Sequence, residues 1–200
     1  MQKYISNIGN YDVIGGAQIK RYGIVGIKGK INKNKIKHNN AFIKNNSILV
    51  QNIIAYIENP TSHIKITACI PEKNDYIILD TINQIILNDN INRNIIWYLL
   101  NSKIINWYTY HFIFSCSTFT MHFDYHVTSC IPIPKDILNI QEILNEHITN
   151  YLLLNKEFYN MATYNNKWYD LKEKIKVLEK IIDDEFYKYY ELTDDEIKIM

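Results

Sequence analysis

Several residue types that define whole classes of protein are scarce in this 200-residue chain. It has three cysteines, Cys69, Cys116 and Cys130, too few for a disulfide-stabilised scaffold, and their odd number indicates a reducing compartment. No apolar run approaches the roughly 18 residues of a membrane-spanning helix, and the first residues lack the apolar centre of a signal peptide. These absences predict a soluble, cytoplasmic protein without a membrane partner.

Familiar catalytic signatures are also missing from the sequence. We find no nucleophile elbow, no phosphate-binding loop, no zinc-protease helix and no Asn-Pro-Pro-Tyr type of motif for holding a flipped adenine. Gly23, Gly26 and Gly29 recur at every third position, but no helix start follows them, so a phosphate loop is not expected there. The sequence therefore assigns no catalytic residue and no cofactor to this chain.

The net charge of +1 hides an asymmetry along the chain. Residues 1–60 hold nine lysines and arginines against two acidic residues, a net charge of +7, whereas residues 135–200 hold nine against fourteen, a net charge of −5. The densest basic stretch runs from Lys28 to Lys37, with asparagines between the lysines. A basic front half predicts an anionic partner such as nucleic acid. The alternative for this stretch is an ordinary solvated, lysine-rich loop.

The patterning of apolar residues predicts an α+β fold, in which a mixed, β-rich part precedes a helical part. Short strands are expected within residues 1–30 and at 47–57, 63–70, 76–79, 111–114, 119–123 and 126–131. A turn is expected at Asn59-Pro60. One long central helix is predicted over residues 92–108 with Asn90 as its cap, and its apolar stripe is too wide for a surface helix.

After Pro134 the sequence becomes helical in character. Two amphipathic helices are predicted, with apolar stripes from Ile137 to Leu152 and from Leu171 to Tyr189, and they are expected to form a hairpin. Thr193 and Glu196 have the spacing of a capping box that begins a short last helix. We therefore divide the chain near residue 135, into a β-rich domain of residues 1–134 and a helical spacer or tail of residues 135–200.

Four stretches, in order along the chain, resemble one known family. They are residues 16–22 (Gly-Ala-Gln-Ile-Lys-Arg-Tyr), 48–55 (Ile-Leu-Val-Gln-Asn-Ile-Ile-Ala), 98–108 (containing Leu-Asn-Ser) with 131–134 (Ile-Pro-Ile-Pro), and 182–197 (containing Glu-Leu-Thr-Asp-Asp-Glu-Ile). They are similar to the TaqI-like C-terminal specificity domain, or target-recognition domain, of adenine-specific DNA methyltransferases and type IIG restriction–modification enzymes. The Leu-Asn-Ser helix and the Ile-Pro-Ile-Pro segment are the most specific pair.

The resemblance implies a sequence-specific DNA-binding module that positions DNA for an adenine-specific methyltransferase or endonuclease supplied elsewhere. In that family the module follows a methyltransferase domain, whose motifs this chain lacks, so S-adenosylmethionine would bind to the catalytic partner. Cations would contact phosphates of double-stranded DNA, and amide side chains would be candidate base readers. The residues expected to contact phosphates are Lys20, Arg21, Lys28, Lys30, Lys33, Lys35, Lys37 and Lys44. The candidate base readers are Gln51 and Asn52.

Two other functions stay open at the level of sequence. One is a protein-interaction accessory module without DNA binding, which would use the acidic helices. The other is a zinc-dependent hydrolase, because four residues with soft ligand atoms lie in order at Cys116, His122, His126 and Cys130. Their spacings do not match those of common zinc fingers, and the stretch has the character of strands, so zinc is the less favoured interpretation.

Overall fold

The computed structural model describes residues 1–55, 64–161 and 165–200. They form an α+β fold, which confirms the class predicted from the apolar pattern. The helices are α1 (Arg93–Asn101), α2 (Lys103–Tyr108), α3 (Tyr125–Cys130), α4 (Ile137–Tyr159), α5 (Asn166–Tyr189) and α6 (Asp194–Ile199). The strands are β1 (Tyr11–Ile14), β2 (Ile19–Lys20), β3 (Gly23–Ile24), β4 (Gly29–Ile31), β5 (Ser47–Gln51), β6 (Ile53–Ala55), β7 (Ala68–Cys69), β8 (Ile77–Ile78), β9 (Ile82–Ile86) and β10 (Met121–His122).

Two three-stranded sheets organise the β-rich part. One has the strand order β4-β1-β8 and the other has the order β7-β5-β9. β5 is central because its apolar run, Ile48 to Val50, is fully buried and both neighbours pair with it antiparallel. β4 lies at the edge of its sheet, where Lys30 is directly opposite Asp12 of β1. Two-stranded pairings also join β2 to β3 and β6 to β10. The lysine-rich stretch therefore passes through an edge strand.

The largest hydrophobic core joins the β-rich part to the C-terminal helices. α1 supplies its centre, since Ile95, Leu99 and Leu100 are buried together with side chains of β5 and β6. The two long helices add the stripes expected from their sequences, and the buried members include Ile140, Leu144, Ile148, Ile182 and Phe186. The helical hairpin thus packs on the central helix of the same chain. Among the described residues, no helix is long and apolar enough to cross a membrane.

The central helix differs in two details from its prediction. Residues 92–108 do not form one helix, because Ser102 has an extended backbone conformation, ends α1 and begins α2. The Ser102 hydroxyl accepts a hydrogen bond from the Ile105 N–H, as an N-cap does. The cap of α1 is Asn92 rather than Asn90, since the Asn92 side chain accepts from the Asn94 N–H.

Several strand predictions are wrong. Residues 109–113 form a π-helical turn that extends α2, and residues 125–130 form α3, so the strands expected at 111–114 and 126–131 do not exist. Conversely, β9 was not predicted, because Asn83 and Gln84 interrupt its apolar residues. The predicted turn at Asn59-Pro60, the end of the strand expected at 47–57 and the start of that expected at 63–70 lie outside the described residues.

Candidate nucleic-acid interface

The predicted phosphate contacts begin along the edge strand β4. Lys28 precedes β4, Lys30 lies within it and Lys33 follows it. At about 3.3 Å per residue, this stretch spans at most about 17 Å, which corresponds to several base pairs of duplex at 3.4 Å each. The ammonium of Lys30 forms an ion pair with Asp12, 2.9 Å from its Oδ1. Lys30 is therefore partly neutralised by its own sheet.

The basic surface continues in the segment that follows β4. Lys33 and Lys35 belong to a short 3-10 helix with exposed side chains, and Lys37 follows it in an exposed segment. The ammonium of Lys35 lies 5.4 Å from the centre of the Tyr4 ring, and that of Lys3 lies 5.3 Å from the same ring. The structure therefore adds Lys3 to the basic surface. The sequence did not indicate this residue, because it lies far from the dense lysine run.

The lysines of the two ends of the chain differ in how they are neutralised. In the part of the chain that the structure describes, no carboxylate forms an ion pair with the exposed side chains of Lys20, Lys28, Lys33, Lys35, Lys37 or Lys44. By contrast, six of the nine lysines in residues 135–200 form ion pairs: Lys156–Glu72, Lys167–Glu157, Lys174–Asp170, Lys176–Glu173, Lys188–Glu185 and Lys198–Asp195. The positive charge of these six front-half lysines is thus available to an external anion.

Gln51 and Asn52, the two candidate base readers, lie where β5 meets β6. The side-chain amide of Gln51 donates hydrogen bonds to the carbonyl oxygens of Gly16 and Ile19, at 2.8 and 2.9 Å. Asn52 donates to the Asp80 carbonyl at 3.4 Å and accepts from the Asn83 amide at 3.2 Å. Both side chains therefore make bonds within the fold. For Gln51, these bonds occupy both donors and leave the side-chain oxygen for any other contact.

Gln51 also lines a cleft of about 320 Å³ beside the basic edge strand. The hydroxyl of Thr81 accepts from the Gly16 N–H at 3.0 Å, so the glycine turn is held on both sides. The other residues that line the cleft are Gly15, Ala17, Gln18, Lys28 and Ile53. Lys28 is the charged residue of this wall, so the cleft can accept a polar, anionic group.

We predict that Gln51→Ala lowers the free energy of unfolding by about 1 kcal/mol or slightly more, because two backbone carbonyls lose their partner. Lys28→Ala is the matched control from the same cleft, since its exposed side chain has no ion-pair partner among the described residues. Urea denaturation of both variants and the parent measures the difference. Equal stability of the two variants would contradict the structural role of Gln51.

Arg21 is directed into the molecule, toward the C-terminal hairpin. Its guanidinium lies 3.6 Å from a carboxylate oxygen of Glu179 on α5 and 5.6 Å from the centre of the Tyr151 ring on α4. Its main-chain oxygen accepts a hydrogen bond from the indole N–H of Trp97 at 2.7 Å. Arg21 therefore connects β2 to three helices. Asp12, the carboxylate of the preceding strand β1, pairs with Lys30 instead.

A group of ionisable side chains lies behind Arg21. The Tyr98 hydroxyl donates to Asp183 at 2.8 Å, and the Tyr151 hydroxyl donates to Glu179 at 3.1 Å. Burial raises the pKa of Asp183 to about 6, although the bond from Tyr98 and the charge of Arg21 oppose this shift. Burial likewise raises the pKa of both tyrosines, so they stay neutral donors at physiological pH.

The four residues considered for a zinc site are distributed over different elements. His122 lies on β10, His126 and Cys130 lie on α3, and Cys116 lies in the turn before β10. The Cys116 sulfur is 3.3 Å from Nδ1 of His111, which was not among the expected ligands. Within residues 1–55, 64–161 and 165–200, no three histidine, cysteine, aspartate or glutamate side chains are grouped closely enough to hold a metal ion.

No protein-family model and no curated protein matches this chain.

Proposed function

We propose that this chain is a DNA target-recognition module that positions duplex DNA for an adenine-specific methyltransferase or endonuclease supplied elsewhere. The observation that carries the proposal is the set of six exposed lysines in the front half without carboxylate partners among the described residues. Cations that are not neutralised by the protein release counterions when they meet phosphates, which is the main source of sequence-independent DNA affinity.

The arrangement of the four resembling stretches supports the same proposal. The first two are joined by the bonds from Gln51 to Gly16 and Ile19. The last two are joined by the bond from Tyr98 to Asp183 and by the bond from the Tyr190 hydroxyl to the carbonyl of Pro132, at 2.7 Å. The stretches therefore contact one another in two pairs within one fold, which is compatible with parts of a single module.

DNA titrations at several salt concentrations test the proposal. If about four lysines between Lys28 and Lys44 meet phosphates, the logarithm of the affinity falls against the logarithm of salt concentration with a slope near −3.5. Changing Lys33, Lys35 and Lys37 together to alanine is expected to flatten the slope by up to about three units and to weaken binding to all sequences alike.

A matched control comes from the other end of the chain. Lys172, Lys176 and Lys180 are also exposed, but they lie on the acidic helix α5. Changing these three to alanine is expected to leave the slope unchanged. Binding of the parent that does not vary with salt, or equal slopes for the two triple variants, would contradict the proposal. The protein-interaction module would then be the better interpretation.

A further inference from the structure

A second basic cleft lies away from the lysine-rich stretch, between the segment that leads into β7 and the start of α2. Its volume is about 240 Å³. Three cationic side chains, Arg21, Lys65 and Lys103, line it, whereas Glu179 is its one acidic residue. No ion pair engages Lys65 or Lys103 within the described part of the chain, and both side chains are exposed. The cleft therefore carries a surplus of positive charge.

Two buried or half-buried asparagines fix the walls of this cleft. Oδ1 of Asn106 accepts from the Ile66 N–H at 2.7 Å, and its amide donates to the Ser102 carbonyl at 2.7 Å. Asn101, at the end of α1, accepts from the Ala68 N–H at 3.2 Å and donates to the Ala68 carbonyl at 3.1 Å. These bonds attach the segment carrying Lys65 to the helix that carries Lys103, so the cations are held near one another before any ligand arrives.

The guanidinium of Arg21 keeps a hydrogen-bond donor that no described residue uses at this site. Its side chain is 31% exposed, and its ion-pair contact with Glu179 is long, at 3.6 Å. The same Glu179 oxygen also accepts the hydroxyl of Tyr151. The Arg21 Nε is shielded from solvent and has no hydrogen-bond partner among the described residues. Glu179 and Asp183 offset part of the Arg21 charge, while the outer N–H groups of its guanidinium keep donor capacity for an anion in the cleft.

We propose that the cleft lined by Arg21, Lys65 and Lys103 binds a phosphate group. This inference rests on the proposed function, under which the phosphate belongs to the backbone of the bound duplex. Arg21 would provide outer N–H groups of its planar fork, and the two lysines would act as point charges. Thr67 also lines the cleft, and a threonine hydroxyl can act as one further donor. The proposed DNA contacts then include the start of α2 as well as β4.

The first test uses inorganic phosphate and the full chain. Amide chemical shifts in ¹⁵N–¹H NMR spectra are followed during a phosphate titration of the parent and of the double variant Lys65→Ala/Lys103→Ala. In the parent, saturating shifts are expected at the amides of Lys65, Thr67 and Lys103. In the double variant the dissociation constant is expected to rise at least about tenfold, because charge-assisted hydrogen bonds are removed. Shifts that are absent, or equal in both proteins, would overturn the proposal.

The second test uses duplex DNA and separates this proposal from the function on which it rests. If the double variant no longer engages one backbone phosphate, its salt slope is flatter than that of the parent by about one unit. If the double variant has the same slope as the parent, while the parent binds inorganic phosphate as expected, the cleft is a site for free phosphate. That result would overturn its role in DNA binding. DNA binding by the parent that does not depend on salt would instead overturn the proposed function. The phosphate titration would then decide by itself whether the cleft binds phosphate. The triple variant at Lys33, Lys35 and Lys37 is the control, because it is expected to keep the phosphate shifts.

Discussion

Replacing Leu99 by alanine is expected to lower the free energy of unfolding by about 2–5 kcal/mol. Leu99 lies in α1 with 0% of its surface exposed, in the core that α1 shares with β5, β6 and the helical hairpin. Truncation removes the transfer free energy of the deleted methyl groups and leaves a cavity that the surrounding elements cannot fill completely.

The helical hairpin supplies a matched control for this substitution. Leu153 lies in α4 with 58% of its surface exposed, so Leu153→Ala is expected to change the stability by no more than about 0.5 kcal/mol. Urea denaturation followed by circular dichroism measures both variants. A loss below about 1 kcal/mol for Leu99→Ala would mean that α1 is not the centre of the core.

The long helices were predictable because each carries its own signal. The stripe of α4 contains Ile140, Leu144 and Ile148, all of which are fully buried, and the pattern recurs with the period of an α-helix. The last helix was predictable for a different reason. Thr193 and Glu196 form the capping box that their spacing indicates, with the Thr193 hydroxyl accepting from the Glu196 N–H.

Residues 109–114 and 125–131 show why composition alone predicted strands wrongly. Aromatic and β-branched residues predict strands, but this preference reflects how side chains pack on a sheet. Val127 is the buried residue of α3. This segment therefore lacks the alternating buried side chains that a strand would need. The deciding feature was local: the Asp124 side chain accepts from the Val127 N–H and begins a helix.

The candidate site was partly predictable for a related reason. Exposed lysines such as Lys33 and Lys35 are identifiable from charge density, because no distant residue is needed to make them available. The roles of Arg21 and Gln51 depend on partners far away in the sequence, namely Glu179 for the first and Gly16 for the second. The phosphate cleft depends on the same kind of long-range contact. Lys65 and Lys103 line one cleft only because the fold brings the segment before β7 beside α2.

Replacing Asp183 by asparagine is expected to stabilise the protein at neutral pH. The folded-state pKa of Asp183 is about 6, above its ordinary value of 3.8, because burial and the nearby carboxylates of Glu179 and Asp184 disfavour the charged form. The folded state therefore binds this proton more tightly than the unfolded state does. The stability linked to the carboxyl group is fully present below about pH 4 and is lost as the pH rises toward 6.

At pH 7.5 the ionised Asp183 thus lowers the stability of the fold, and the neutral amide of Asp183→Asn removes this effect while its oxygen still accepts from Tyr98. A gain of about 1–3 kcal/mol in the free energy of unfolding is expected at pH 7.5, with a smaller gain as the pH falls to 4. Glu142→Gln, at an exposed position of α4, controls for the change in net charge and is expected to have little effect at either pH. Urea denaturation at both pH values decides the matter. A loss at pH 7.5 would mean that this carboxylate is stabilised by Arg21 rather than destabilised by its burial. A gain that does not depend on pH would mean that ionisation of Asp183 is not what lowers the stability.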